Sequence, residues 1–128
     1  MEDMLKIAAQ RGVRVAWRPL GRRHGEYHSS SLALLNPQLS LTVQSATLAH
    51  ELGHAHYSHV RTDEPVQHAR QERLADEHAT ELLISDYDYA LAERTVGRHP
   101  GILARELGVT LGIITAWHGR ARRSRRIG

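Results

Sequence analysis

Residues 48–59, Leu-Ala-His-Glu-Leu-Gly-His-Ala-His-Tyr-Ser-His, set four histidines within ten positions. The spacing of His50 and His54 constrains the chain most. On a helix, residues four apart lie ~40° apart around the axis and one turn apart along it, so both imidazoles project from one face. Glu51 sits ~100° further round, and Leu48, Leu52 and Ala55 form an apolar stripe on the opposite side. The spacing predicts a helix with a core face and an imidazole-bearing face.

The chain has 128 residues, enough for one domain with a single modest core. With no Phe and only two Trp, that core must be built mainly from Leu, Ile, Val and Ala. There are no cysteines, so any metal must be held by His, Asp or Glu. No apolar run approaches the ~20 residues needed to span a bilayer. The opening residues, MEDMLKIAAQRG, lack the basic stretch and apolar run of a signal peptide. The expectation is a cytoplasmic protein without membrane association.

A short helix is predicted from Met1 to Arg11, closed by Gly12, and a strand from Val13 to Trp17. A basic turn follows at 19–24, then short strands at 26–28 and 32–35, the latter ended by Asn36-Pro37. The histidine-bearing helix should run from Ser40 or Thr42 to about His59. A charged loop at 61–65 leads to a second long helix over 66–84, and a shorter one covers 87–96. After a break at 97–101, residues 102–120 read as two helices around Gly108. The fold class expected is α+β, a short three-stranded sheet packed on the His50 helix and on a second ligand helix. Residues 1–96 form the main domain, 97–120 a helical segment packed on it, and 121–128 a basic tail.

His50-Glu-Leu-Gly-His54 is an H-E-x-x-H motif, in which two imidazoles can bind one Zn²⁺ and the Glu can reach a water beside it. Glu51 is thus the candidate general base, taking a proton from that water and delivering it to a leaving group. A third ligand is needed. An extended motif would require Gly at 57 and His at 60, where the chain has Tyr57 and Val60. His59 is one residue out of register, and His56 and His59 read as solvent-facing or as supports for the ligands.

The better source is the next helix, Arg70-Gln-Glu-Arg-Leu-Ala-Asp-Glu-His-Ala-Thr-Glu-Leu-Leu-Ile84. Glu72, Asp76 and Ala79 share a face there, with Ala75 at its edge, while Glu77 and Glu81 lie ~140° and ~180° from Glu72. Glu72 is the expected third ligand. Asp76, one turn on, can accept the second N–H of a ligating histidine and fix its tautomer. The flanking alanines let the two helices approach closely.

His50-Glu-Leu-Gly-His54 and Glu72-x-x-Ala75-Asp76-x-x-Ala79-x-Glu81-Leu82-Leu83 together resemble the ImmA/IrrE family of zinc metallopeptidases, over most of residues 13–84. The resemblance implies a zincin-like domain with zinc held by His50, His54 and Glu72 and with Glu51 as base. It also implies a phage or mobile-element setting and a repressor-type regulatory protein as the substrate cleaved or inactivated. The family's second motif usually carries an aromatic where this chain has His78, which reads as a packing position.

The segment Ile102-Leu-Ala-Arg-Glu-Leu-Gly108 through Trp117-His-Gly-Arg120 is similar to a helix-turn-helix. Leu103, Leu107, Val109 and Trp117 would be its core, Gly108 its turn and Thr110 a cap. Its second helix would expose Gly112, Thr115 and His118, which offer little to base edges. The formal charge of +3 is unevenly placed, five arginines falling in the last nine residues: Arg120, Arg122, Arg123, Arg125 and Arg126. They suit nonspecific phosphate contacts, acidic protein surfaces or a disordered solubilising end. The competing function is therefore a zinc-containing DNA-binding regulator acting through this segment. A third is a zinc hydrolase acting on something other than peptide.

Overall fold

A computed structural model describes residues 1–28 and 31–127, with side chains as far as Ser124. Helix α1 (Glu2–Gln10) turns Met4 and Ala8 into the core and ends at Arg11. Strands β1 (Arg14–Trp17), β2 (Gly25–His28) and β3 (Leu32–Leu35) form a sheet in the order β1-β3-β2. β3 runs parallel to β1 and antiparallel to β2. Its central place explains the near-continuous apolar run Leu32-Ala-Leu-Leu35, since a strand paired on both edges leaves little to solvent. Asn36, buried at the end of β3, donates its amide to the carbonyls of Gly21 and Arg23 and accepts from the Gln38 amide. These bonds offset the cost of burying the amide, and they tie the basic turn to the sheet.

Helix α2 (Leu41–His56) begins at Ser40, whose hydroxyl accepts from the Val43 amide at 3.2 Å. Leu48 and Leu52 are fully buried against the sheet side, each stabilising the fold by about 1.5–3 kcal/mol. Trp17 Nε1 donates to Gln44 Oε1 at 2.8 Å, pinning β1 to the start of α2. On its other side α2 packs along α3 (Pro65–Leu83). Helices α4 (Asp86–Val96), α5 (Pro100–Leu107) and α6 (Leu111–Ile127) complete the chain, and α6 returns to lie against α3. One apolar cluster extends from Met4 through Leu48 and Leu103 to Trp117, so α5 and α6 share the core of the preceding elements.

The α+β class and the strands agree with the sequence pattern. Several boundaries differ. Helices α3 and α5 start at Pro65 and Pro100, capped by the side chains of Glu64 and His99, rather than at Val66 and Ile102. Proline's fixed φ suits the first helical position, and its missing N–H would be unpaired there anyway. Helix α2 ends at His56 rather than His59, because Ser58 adopts φ 53° and turns the chain. Helix α6 continues through the arginines to Ile127, so residues 121–127 extend a helix instead of forming a separate tail. Between α5 and α6, Gly108 takes the left-handed conformation expected of a helix-terminating glycine, and Thr110 Oγ1 accepts from the Ile113 amide at 3.3 Å. Among the described residues no helix is long and apolar enough to cross a membrane.

Candidate metal centre

Close approach of α2 and α3 makes the site. Gly53 lies against Ala75, where a methyl group on the glycine would stand 2.6 Å from the Ala75 carbonyl oxygen and 2.7 Å from its Cα. Ala75 and Ala79 are wholly buried in the same seam. With no larger side chain between the backbones, a carboxylate on α3 reaches the imidazoles on α2.

That carboxylate is Glu72. Its Oε2 lies 2.9 Å from His50 Nε2, its Oε1 lies 3.2 Å from His54 Nε2, and the two Nε2 atoms are 3.1 Å apart. The three donor atoms lie within 4.8 Å of one another. Each imidazole turns Nε2 to this common point and Nδ1 away from it. His50 Nδ1 lies 2.7 Å from Asp76 Oδ1, as the one-turn spacing from Glu72 predicts. His54 Nδ1 lies 2.9 Å from His59 Nδ1.

Burial opposes charge on His50, but the hydrogen bonds to Asp76 and Glu72 outweigh it and push the imidazole up to about 10. Hydrogen bonds from His50 and His54 hold Glu72 well below the usual carboxylate range. Glu51 is 7% exposed; burial pushes its carboxyl up, with the neighbouring His50 and His54 pulling it down. A proton and a metal cation therefore compete for the same inward-facing atoms.

Other histidines play parts that spacing alone did not assign. His56 is exposed and stacks on His78, ring centres 4.1 Å apart and planes 11° off parallel. His78 is buried and also hydrogen-bonds Arg11 Nη1 at 2.8 Å through Nε2, so this packing position uses both the aromatic face and the polar edge of the ring. Glu77 and Glu81 point away from the centre, toward Arg123 and Arg120 respectively. Tyr27 lies in a cavity of about 410 Å³ with Arg11, Val13 and His56, and His28 pairs with Glu26 at 3.1 Å. His24 is exposed. A second cavity, of about 390 Å³, opens between α3 and α6 beside Glu72 and Asp76, with Arg73 and Ala116 in its walls.

The α6 arginines differ among themselves. Arg120 lies over the Trp117 ring at 4.6 Å and bonds Glu81 at 3.2 Å, and Arg123 pairs with Glu77. Arg122 is exposed, while the side chains of Arg125 and Arg126 lie outside the described residues. His118, expected on the outer face of the second helix, is instead hydrogen-bonded to the Tyr89 hydroxyl at 2.7 Å, because Tyr89 of α4 lies against Trp117 and His118. Gly112 and Thr115 are exposed as expected.

Gly53 is the residue that the sequence reading passed over. A glycine inside a helix, between two candidate ligands and opposite an alanine-rich face, is the signal that marks a close backbone approach.

No curated protein gives a significant match to the chain. A family model described as Peptidase_M78, IrrE N-terminal-like domain, matches residues 8–116, a span that begins in α1, holds the whole sheet and the His50–His54–Glu72 cluster, and ends within α6. The chain belongs to this peptidase family.

Proposed function

We propose that the chain is a zinc-dependent metalloendopeptidase of the cytoplasm that cleaves or inactivates a repressor-type regulatory protein of a phage or mobile element. The observation that carries this reading is the convergence of two imidazole nitrogens and one carboxylate within 4.8 Å. Two N donors and one O donor from three side chains, with a further coordination position left for water or substrate, match the donor set of catalytic zinc sites. Bound there, zinc would polarise a carbonyl oxygen and acidify a water.

The chain's own residues supply the rest. Glu51, adjacent in sequence to His50 and buried among the same groups, accepts a proton from the attacking water and passes it to the leaving amine. A carboxyl pushed up by burial is the better base for this step near neutral pH. Asp76 accepts from His50 Nδ1, which keeps the ring turned with Nε2 inward. The cavity beside Glu72 and Asp76 gives substrate side chains room next to the centre.

The DNA-binding alternative has less under it. Of the five arginines, Arg120 and Arg123 are engaged with Glu81 and Glu77 on α3, and His118 is held by Tyr89. The test uses a repressor-type regulatory protein as substrate. The wild type should cleave it, while Glu51→Gln binds zinc normally and leaves it intact. Undiminished cleavage or inactivation by Glu51→Gln would remove Glu51 as base and favour action by binding alone.

A further inference from the structure

The two ligand imidazoles are held from behind by different chemistry. His50 has a carboxylate on its outer nitrogen, Asp76 Oδ1 at 2.7 Å. His54 has another imidazole, His59 Nδ1 at 2.9 Å. We propose that His59 is a positioning residue for His54, doing for the second ligand what Asp76 does for the first. The proposal rests on the metal-centre reading above.

The end of α2 is built to deliver His59 there. The Ser58 amide donates to the Ala55 carbonyl at 3.1 Å, and the His59 amide donates to the His54 carbonyl at 2.9 Å. This pair of bonds closes a helix with a left-handed residue just past its end, and Ser58 at φ 53° is that residue. The turn folds residue 59 back over the last turn of the helix and beside residue 54. The His59 ring lies 5.1 Å from the His54 ring, centre to centre, and stacks on Tyr57 at 5.4 Å. Backbone and ring contacts therefore both orient it.

Hydrogen-bond chemistry assigns the roles. A His54 that ligates through Nε2 carries its proton on Nδ1, and that N–H needs an acceptor. His59 Nδ1 is the acceptor, which puts the His59 proton on Nε2. The bond fixes the His54 ring with Nε2 turned toward His50 Nε2 and Glu72, the orientation found.

The experiment measures zinc affinity by competition with a chromogenic chelator, and the absorption spectrum of the Co²⁺-substituted protein. Three variants are compared with the wild type: His59→Leu, His59→Asn and Ser58→Val. His59→Leu has no acceptor and should bind zinc about 10- to 100-fold more weakly at unchanged stoichiometry. His59→Asn can place Oδ1 where Nδ1 was and should recover most of the loss. Ser58→Val puts a β-branched residue at positive φ, disrupts the turn and should weaken zinc with His59 still present. The Co²⁺ spectrum should shift in His59→Leu and Ser58→Val and return toward wild type in His59→Asn. Wild-type affinity and spectrum in His59→Leu would overturn the proposal while leaving the metal centre standing. Equal losses in His59→Asn and His59→Leu would also overturn it, as packing rather than an acceptor would then be what His59 provides. A wild type that binds no zinc would overturn the metal-centre reading, and this one with it.

Discussion

Gly53 and Ala75 meet backbone to backbone, with 2.6 Å between the position of a methyl group on Gly53 and the Ala75 carbonyl oxygen. Nothing flexible lies in that contact, so Gly53→Ala must push α3 away from α2 and carry Glu72 with it. The expected cost is about 1–3 kcal/mol of stability, typical of overpacking, together with weakened zinc binding. The same substitution at Gly119 in α6 meets only the Arg123 guanidinium at 3.6 Å, an ordinary contact. Gly119→Ala should stabilise by about 0.5–1 kcal/mol through helix propensity and leave zinc unaffected. Thermal melts and chelator competition on both variants check the contrast. Equal behaviour of the two would remove Gly53 from the account of the site.

His78 should make the fold sensitive to acid. Burial first, then His56 and Arg11, hold it below its ordinary 6.5, with Glu81 acting the other way. The unfolded chain therefore takes up this proton at a higher pH than the folded chain. Stability is unaffected by His78 above its ordinary value, and is lost as pH falls from there toward the depressed one. His78→Tyr keeps an aromatic ring against His56 but cannot titrate in this range. Its melting temperature should fall less steeply than that of the wild type between about pH 7 and 5. An unchanged slope would assign the acid sensitivity to another group.

The arginines of α6 should separate into two kinds. Arg120→Ala loses the Trp117 face and the bond to Glu81, and should destabilise by about 1 kcal/mol. Arg122 is exposed, so Arg122→Ala should leave stability unchanged. If α6 contacts nucleic acid, binding is expected to be weak, nonspecific and salt-sensitive. Arg122→Ala should then reduce the log–log salt slope by about 0.9, one phosphate contact, and Arg120→Ala should not. Tight binding to one operator-like sequence at physiological salt would favour the DNA-binding regulator over the peptidase.

That His50 and His54 share a face was legible, because helical spacing alone decides which side chains do so. The same arithmetic separated Glu72 and Asp76 from Glu77 and Glu81 on α3, and the structure keeps them apart. Sheet order was not legible. Strand pairing depends on contacts between distant segments, and nothing local in Gly25–His28 or Leu32–Leu35 says that β3 takes the middle. The starts of α3 and α5 were read late because Pro65 and Pro100 look like breaks, yet each occupies the first turn of a capped helix. His59 was placed one residue out of register for a ligand motif. Its actual position depends on Ser58 at positive φ, a conformation serine seldom takes and does not announce.

Metal analysis of the purified protein and of Glu72→Ala tests the central claim most directly. The wild type should carry about one zinc per chain, as a three-ligand site requires. Glu72→Ala should carry almost none, since it loses the carboxylate that lies 2.9 Å from His50 and 3.2 Å from His54. Full zinc content in Glu72→Ala would contradict the account, because the third ligand would then lie elsewhere and the meeting of α2 and α3 would not be what makes the site.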